Sequence, residues 1–135
     1  MITYQIEKNL NPEAFREVLI QSGLGVRRPV DDLQRITQMV LNASLILTAR
    51  DGDTLIGVAR SIADFVYCTY LSDLAVDQAY QGKGIGTELI RRTKIETPQA
   101  KLILLSAPGA VAYYPRIGMS RHEHCYYLDD VALLK

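Results

Sequence analysis

The spacing of hydrophobic positions changes several times along the chain, and each change marks an element. Ile2, Tyr4 and Ile6 alternate with polar neighbours, the period of a half-buried strand. Asn11-Pro12 supplies an N-cap and a proline for the first helical position. Phe15, Val18 and Leu19 then recur at helical spacing until Gly23 or Gly25 stops the helix. After a loop from Leu24 to Pro29, Asp31 or Asp32 caps a second helix with Leu33, Ile36, Val40 and Leu41 inward. Three strands in a meander follow. Leu45 to Ala49 ends at the turn Asp51-Gly52-Asp53, Leu55 to Ile62 returns, and Tyr67 to Val76 is the third. A further helix has its stripe at Ile85, Leu89, Ile90 and Thr93, and Pro98 helps to stop it. Leu102 to Leu105 is a continuous apolar run, as in a strand covered on both faces and paired parallel to the strand before the helix. That β-α-β unit is expected to cross over right-handed. Pro108-Gly109 breaks the last strand, Ala110 to Tyr114 reads as a short helix ended by Gly118, and His122 to Leu128 reads as a closing strand.

The segment from Leu71 to Glu96 carries the most chemistry. An apolar strand ending in Leu74-Ala75-Val76 leads through Asp77-Gln78-Ala79-Tyr80 into Gln81-Gly82-Lys83-Gly84-Ile85-Gly86, and Thr87 continues the helix. Three glycines in five residues leave backbone N–H groups uncovered. The helix adds unpaired N–H groups and its positive dipole end at the same place. Such a turn suits phosphate oxygens, and Lys83 adds a cation. A Walker P-loop requires another order of residues. A dinucleotide fingerprint requires a third glycine where Thr87 stands, in the first βα turn. Both of those are excluded.

The turn resembles the acyl-CoA signature Q/R-x-x-G-x-G/A of the GCN5-related N-acetyltransferase (GNAT) superfamily, with Gln81, Gly84 and Gly86 in its defined positions. Downstream, Ala110-Val111-Ala112-Tyr113-Tyr114-Pro115-Arg116-Ile117-Gly118-Met119 resembles that family's A-x-x-F-Y-x-K-L-G-F segment, with Pro115 and Met119 as departures. The resemblance covers about residues 45 to 119. It implies one mixed α/β layered domain, residues 1 to 135, whose mostly antiparallel sheet has splayed central strands flanked by helices. It also implies acetyl-CoA as cosubstrate, held by Leu74, Ala75, Val76, Gln81, Gly82, Lys83, Gly84, Ile85, Gly86, Thr87, Tyr113 and Arg116, with strand N–H groups at the thioester carbonyl.

The same resemblance gives Tyr114 the role of acid toward the departing CoA thiolate. A phenol has an ordinary pKa near 10 and keeps its proton at neutral pH. The attacking amine must be uncharged, so a proton acceptor is needed. Asp73 is placed for this by its position just before the carbonyl-binding residues; a charge in so apolar a strand otherwise needs a cation beside it. Asp64, at a turn, and water are the alternatives. The acceptor pocket is expected around Arg27, Arg28, the second helix and the strand ends, with Phe65, Tyr67 and Tyr70 as lining. Arg27-Arg28-Pro29, the stretch Ile56 to Asp64 and Tyr80-Gln81-Gly82 are similar to a small GNAT group that includes plant-type aralkylamine acetyltransferases. A CoA-binding sensor without catalysis is the competing class; a plain protein-interaction domain leaves the glycine turn unexplained.

Fifteen basic and fifteen acidic residues cancel to a formal charge of zero, which gives no footprint for nucleic acid or an anionic membrane. No apolar run approaches the length of a membrane span, and the N-terminus lacks a secretory leader pattern. Cys68 and Cys125 lack paired spacing, and His122 and His124 have no third ligand, so no metal is expected. A cytoplasmic enzyme acting on a small-molecule or peptide amine is the resulting expectation, and the resemblance adds a homodimer.

Overall fold

The computed structural model describes residues 1–135. The chain divides into two compact units, Met1–Leu105 and Ser106–Lys135. The first holds a five-stranded sheet in sequential order: β1 (Ile2–Ile6), β2 (Leu45–Asp51), β3 (Thr54–Ala63), β4 (Cys68–Val76) and β5 (Lys101–Ile103). The first four strands are antiparallel, and β5 runs parallel to β4.

Period-two alternation divides the strand residues between two cores. Ile46, Val58 and Ala75 face one side, where α1 (Pro12–Ser22) and α2 (Leu33–Leu41) bury Phe15, Val18, Leu19, Ile36 and Val40. Leu47, Ala59 and Val76 face the other, under Ile85 and Leu89 of α3 (Ile85–Glu96). Gly57 permits this close approach. A Cβ there would stand 3.2 Å from Leu89 Cδ1 and 3.3 Å from Ala49 Cβ.

The helix ends follow from their caps. Asn11 Oδ1 accepts from the N–H groups of Glu13 and Ala14, and Gly23 closes α1 with φ at +89°. Asp32 caps α2 by accepting from Arg35 N–H. Leu33 and Leu41 were expected inside, but they are 42% and 68% exposed; only Ile36 and Val40 of that stripe are buried. A nine-residue helix lying on a sheet buries a narrow seam, and residues at its ends overhang it.

The edge of the sheet departs further from expectation. β5 is three residues long, with Ile103 half exposed, rather than an apolar strand covered on both faces. In the second unit the expected helix over Ala110 to Tyr114 is a 3-10 turn (Pro108–Ala110) followed by α4 (Tyr113–Arg116). Residues 122 to 128 form no strand and are exposed.

Candidate functional site

β4 and β5 pair only at Cys68–Lys101, Thr69–Leu102 and Tyr70–Ile103, and then part. Which β4 amides face the opening follows from the hydrogen bonds at its end. Asp77 N–H donates to Ile56 O, 2.8 Å away, on the β3 side. Val76 O instead accepts from Gln81 Nε2 at 2.8 Å. Neighbours in an antiparallel ladder alternate edges. Leu74 and Val76 therefore present their backbone groups on the β5 side, where no strand partners them. Ala75 differs: its backbone lies opposite Val58 on the β3 side, and its methyl is in the α1/α2 core.

The glycine turn follows directly. Asp77 caps the 3-10 turn Gln78–Tyr80, and Gly82 and Gly84 adopt φ of +77° and +81°, which L-residues with a Cβ rarely occupy. Nothing lies within 4 Å of a Cβ built on either glycine. Gly84 is the N-cap of α3 without any side-chain cap, and the first intrahelical bond is Glu88 N–H to Gly84 O at 3.0 Å. Open space above the turn, a helix dipole and no covering side chain give an arrangement that could hold an anion. Ile85 is buried, so only its backbone is on offer. The turn is tied to the sheet by Tyr80, whose hydroxyl donates to Asp51 Oδ2 at 2.6 Å, and Lys83 Nζ sits 5.3 Å from the centre of the Tyr80 ring.

The aspartate read from the sequence as a proton acceptor is the anion of a buried ion-pair cluster. Asp73 is 0% exposed; Arg28 Nε donates to one carboxylate oxygen and Arg60 Nε to the other. Arg28 also donates to Ser72 O at 2.8 Å, and Arg60 to Ser72 Oγ at 3.0 Å and Met39 O at 3.2 Å. This carboxylate is the anion that two guanidiniums share. Asp64 accepts from the N–H groups of Val66, Tyr67 and Cys68, and these bonds, Tyr67's foremost, hold its pKa below the usual carboxylate value. It lies in the β3–β4 turn, before Cys68 at the start of β4, and Cys68 is itself about 20 Å along the strand from Leu74. Phe65 and Tyr67 share that distant turn and are exposed, by 43% and 80%.

In the second unit Tyr113 and Tyr114 are partly buried, with ring centres 5.2 Å apart at 77°. Burial, and then Tyr113, raise the Tyr114 phenol above its ordinary pKa. Arg116 closes α4 and is exposed. The groups that sequence reasoning passed over are Arg60 and the Tyr80–Asp51 bond. Arg60 could have been found as a second charge inside an apolar strand.

The family model for the acetyltransferase (GNAT) domain matches residues 11–134. The chain belongs to the GNAT acetyltransferase family. It is 30% identical over 109 residues to an uncharacterized ycf52-like N-acetyltransferase of Prochlorococcus marinus, covering 76% of this chain and 59% of that relative's length. Among solved structures it resembles a GNAT-family acetyltransferase of Streptococcus pneumoniae TIGR4, with a TM-score of 0.80 at 21% identity over 97% of this chain and 98% of the other. It also resembles aminoglycoside N-acetyltransferase AAC(6')-Iy in complex with CoA, with a TM-score of 0.73 at 15% identity over 97% and 95%. At these identities the structural likeness is one of fold. No helix is long and apolar enough to cross a membrane.

Proposed function

We propose that the whole chain acts as one acetyl-CoA-dependent N-acetyltransferase domain and acetylates a primary amine of a small molecule or peptide. One juxtaposition carries this reading: the edge of β4 at Leu74–Val76, which no strand pairs, runs straight into the glycine turn, open above Gly82 and Gly84. A long ligand with a thioester at one end and a pyrophosphate at the other matches that layout. The pyrophosphate would lie on the glycine turn, and the thioester oxygen would accept from the N–H groups of the β4 edge. The neutral amine attacks the thioester carbon, the C–S bond breaks, and the thiolate takes a proton from Tyr114. Its raised pKa keeps that phenol protonated until the thiolate forms. With Asp73 engaged by two arginines and Asp64 distant, the ammonium proton leaves to water.

The second reading is a CoA-binding module without turnover, and the absence of an open carboxylate beside Leu74 is what favours it. Thiol release from acetyl-CoA across a panel of primary amines separates the two. The enzyme reading expects amine-dependent release. Binding of acetyl-CoA with no release for any amine would leave the module.

A further inference from the structure

We propose that Arg28, Asp73 and Arg60 form a clasp that positions the acceptor side of the site, making Arg28 and Asp73 positioning residues rather than proton carriers. The inference rests on the acetyltransferase reading above.

The clasp ties together four pieces of chain that are distant in sequence. Arg28 closes the 3-10 turn Leu24–Arg27 in the α1–α2 loop. Arg60 lies in β3 and also holds the α2 carbonyl of Met39. Both arginines end on Asp73 and on its neighbour Ser72. Ser72 is the extra residue of a β-bulge: Arg60 faces Asp73 and Ser61 faces Leu71, with no partner in the register for Ser72. Bulges re-aim the strand that carries them. This one lies two residues before Leu74, the first amide on the unpartnered edge. Its extra carbonyl and hydroxyl are both taken by guanidiniums, so the bulge and the loop are held as one piece.

The chemistry of the three residues fits holding better than proton transfer. Both carboxylate oxygens accept charge-assisted bonds, the strongest class available to side chains. The carboxylate has no exposure to solvent, while Arg28 keeps about a fifth of its side chain exposed (22%). Arg28 is therefore the member of the cluster that a variant can remove with least harm to the core. Met can replace the length of its apolar stem but none of its donors.

The test compares Arg28→Met, Asp73→Asn and Arg28→Lys by steady-state kinetics, using the best amine from the panel, with acetyl-CoA affinity measured by calorimetry. Arg28→Met should lower kcat/KM for the amine about ten- to a hundredfold, the scale of a misplaced reactant. Its acetyl-CoA affinity should stay within about twofold, because Arg28 bonds to Asp73, Ser72 and Arg27 and to none of the glycine-turn amides. Arg28→Lys should recover only part of the loss, since one ammonium cannot serve both Asp73 and Ser72 O in a fork. Asp73→Asn should show a similar or larger loss, and its kcat/KM should still rise with pH as in the wild type. A flattened pH profile in Asp73→Asn would make Asp73 the base and overturn the proposal. Unchanged amine kinetics in Arg28→Met would overturn it too, and that variant decides the matter alone if Asp73→Asn does not fold. Wild-type protein that releases no thiol with any amine would fault the acetyltransferase reading instead, so the two failures are distinguishable.

Discussion

Replacing Gly84 by alanine tests the glycine turn with little else disturbed. Gly84 has φ at +81°, and a Cβ there meets nothing within 4 Å, so no packing is lost and no clash is made. The cost to the free protein is conformational, about 1–2 kcal/mol for an L-residue in the left-handed region. For a chain of this size that lowers Tm by about 4–8 °C. Gly52, in the β2–β3 turn, is a matched control, with φ at +61° and equally open surroundings. Gly52→Ala should lose about the same stability. The two should separate when acetyl-CoA is added. On the proposed binding mode a methyl on Gly84 would stand where phosphate oxygens approach the turn, and loss of one charge-assisted bond at about 1.5–3 kcal/mol would weaken binding about 10- to 150-fold. Isothermal titration calorimetry and thermal melts of the three proteins read both quantities. Equal acetyl-CoA affinities for Gly84→Ala and Gly52→Ala would refute the reasoning, because the strain would then be the whole effect.

Two further outcomes are expected. Tyr114→Phe should lower kcat by about a hundredfold or more while acetyl-CoA affinity stays within about twofold, measured by thiol release and calorimetry; unchanged turnover would remove the acid role. Glu7 is held to a pKa of about 2, against an ordinary 4.5, chiefly by its hydrogen bond from Arg50. Because the folded pKa is the lower one, its stabilisation is complete above about pH 4.5 and is lost as pH falls toward 2. The shift sets a ceiling of about 3 kcal/mol. Solvent screening of a pair one-fifth exposed (21% and 19%) brings the expected loss nearer 1 kcal/mol. Glu7→Gln should therefore be less stable than wild type at pH 7 and converge with it near pH 2 in denaturant melts.

What the sequence made legible were features governed by local rules. The Asn11 cap, a cap at Asp31 or Asp32 that the structure assigns to Asp32, the hairpin turn at Gly52 and the glycine-to-helix junction at Gly84 each depend on a few adjacent residues. The parting of β4 from β5 came from the family resemblance, and the structure shows it after Tyr70. Long-range pairing was harder to see. Asp73 stood out as a charge in an apolar strand, but its partners lie 13 and 45 residues away, and only the sheet register and the α1–α2 loop bring them together. The apolar run at Leu102–Leu105 and the aromatic stretch after His122 suggested strands because hydrophobicity records what a chain can bury. It does not record what stands beside the segment: β5 is short and half exposed, and residues 122 to 128 have no regular structure.

If the main-chain amides around Gly82, Gly84 and Gly86 grip a pyrophosphate, an amide 1H–15N NMR titration with CoA will show it when run beside a titration with pantetheine, which lacks the pyrophosphate. Gly82, Gly84 and Gly86 should shift far downfield with CoA and almost not at all with pantetheine. Binding of CoA that left those three amides unmoved would contradict it.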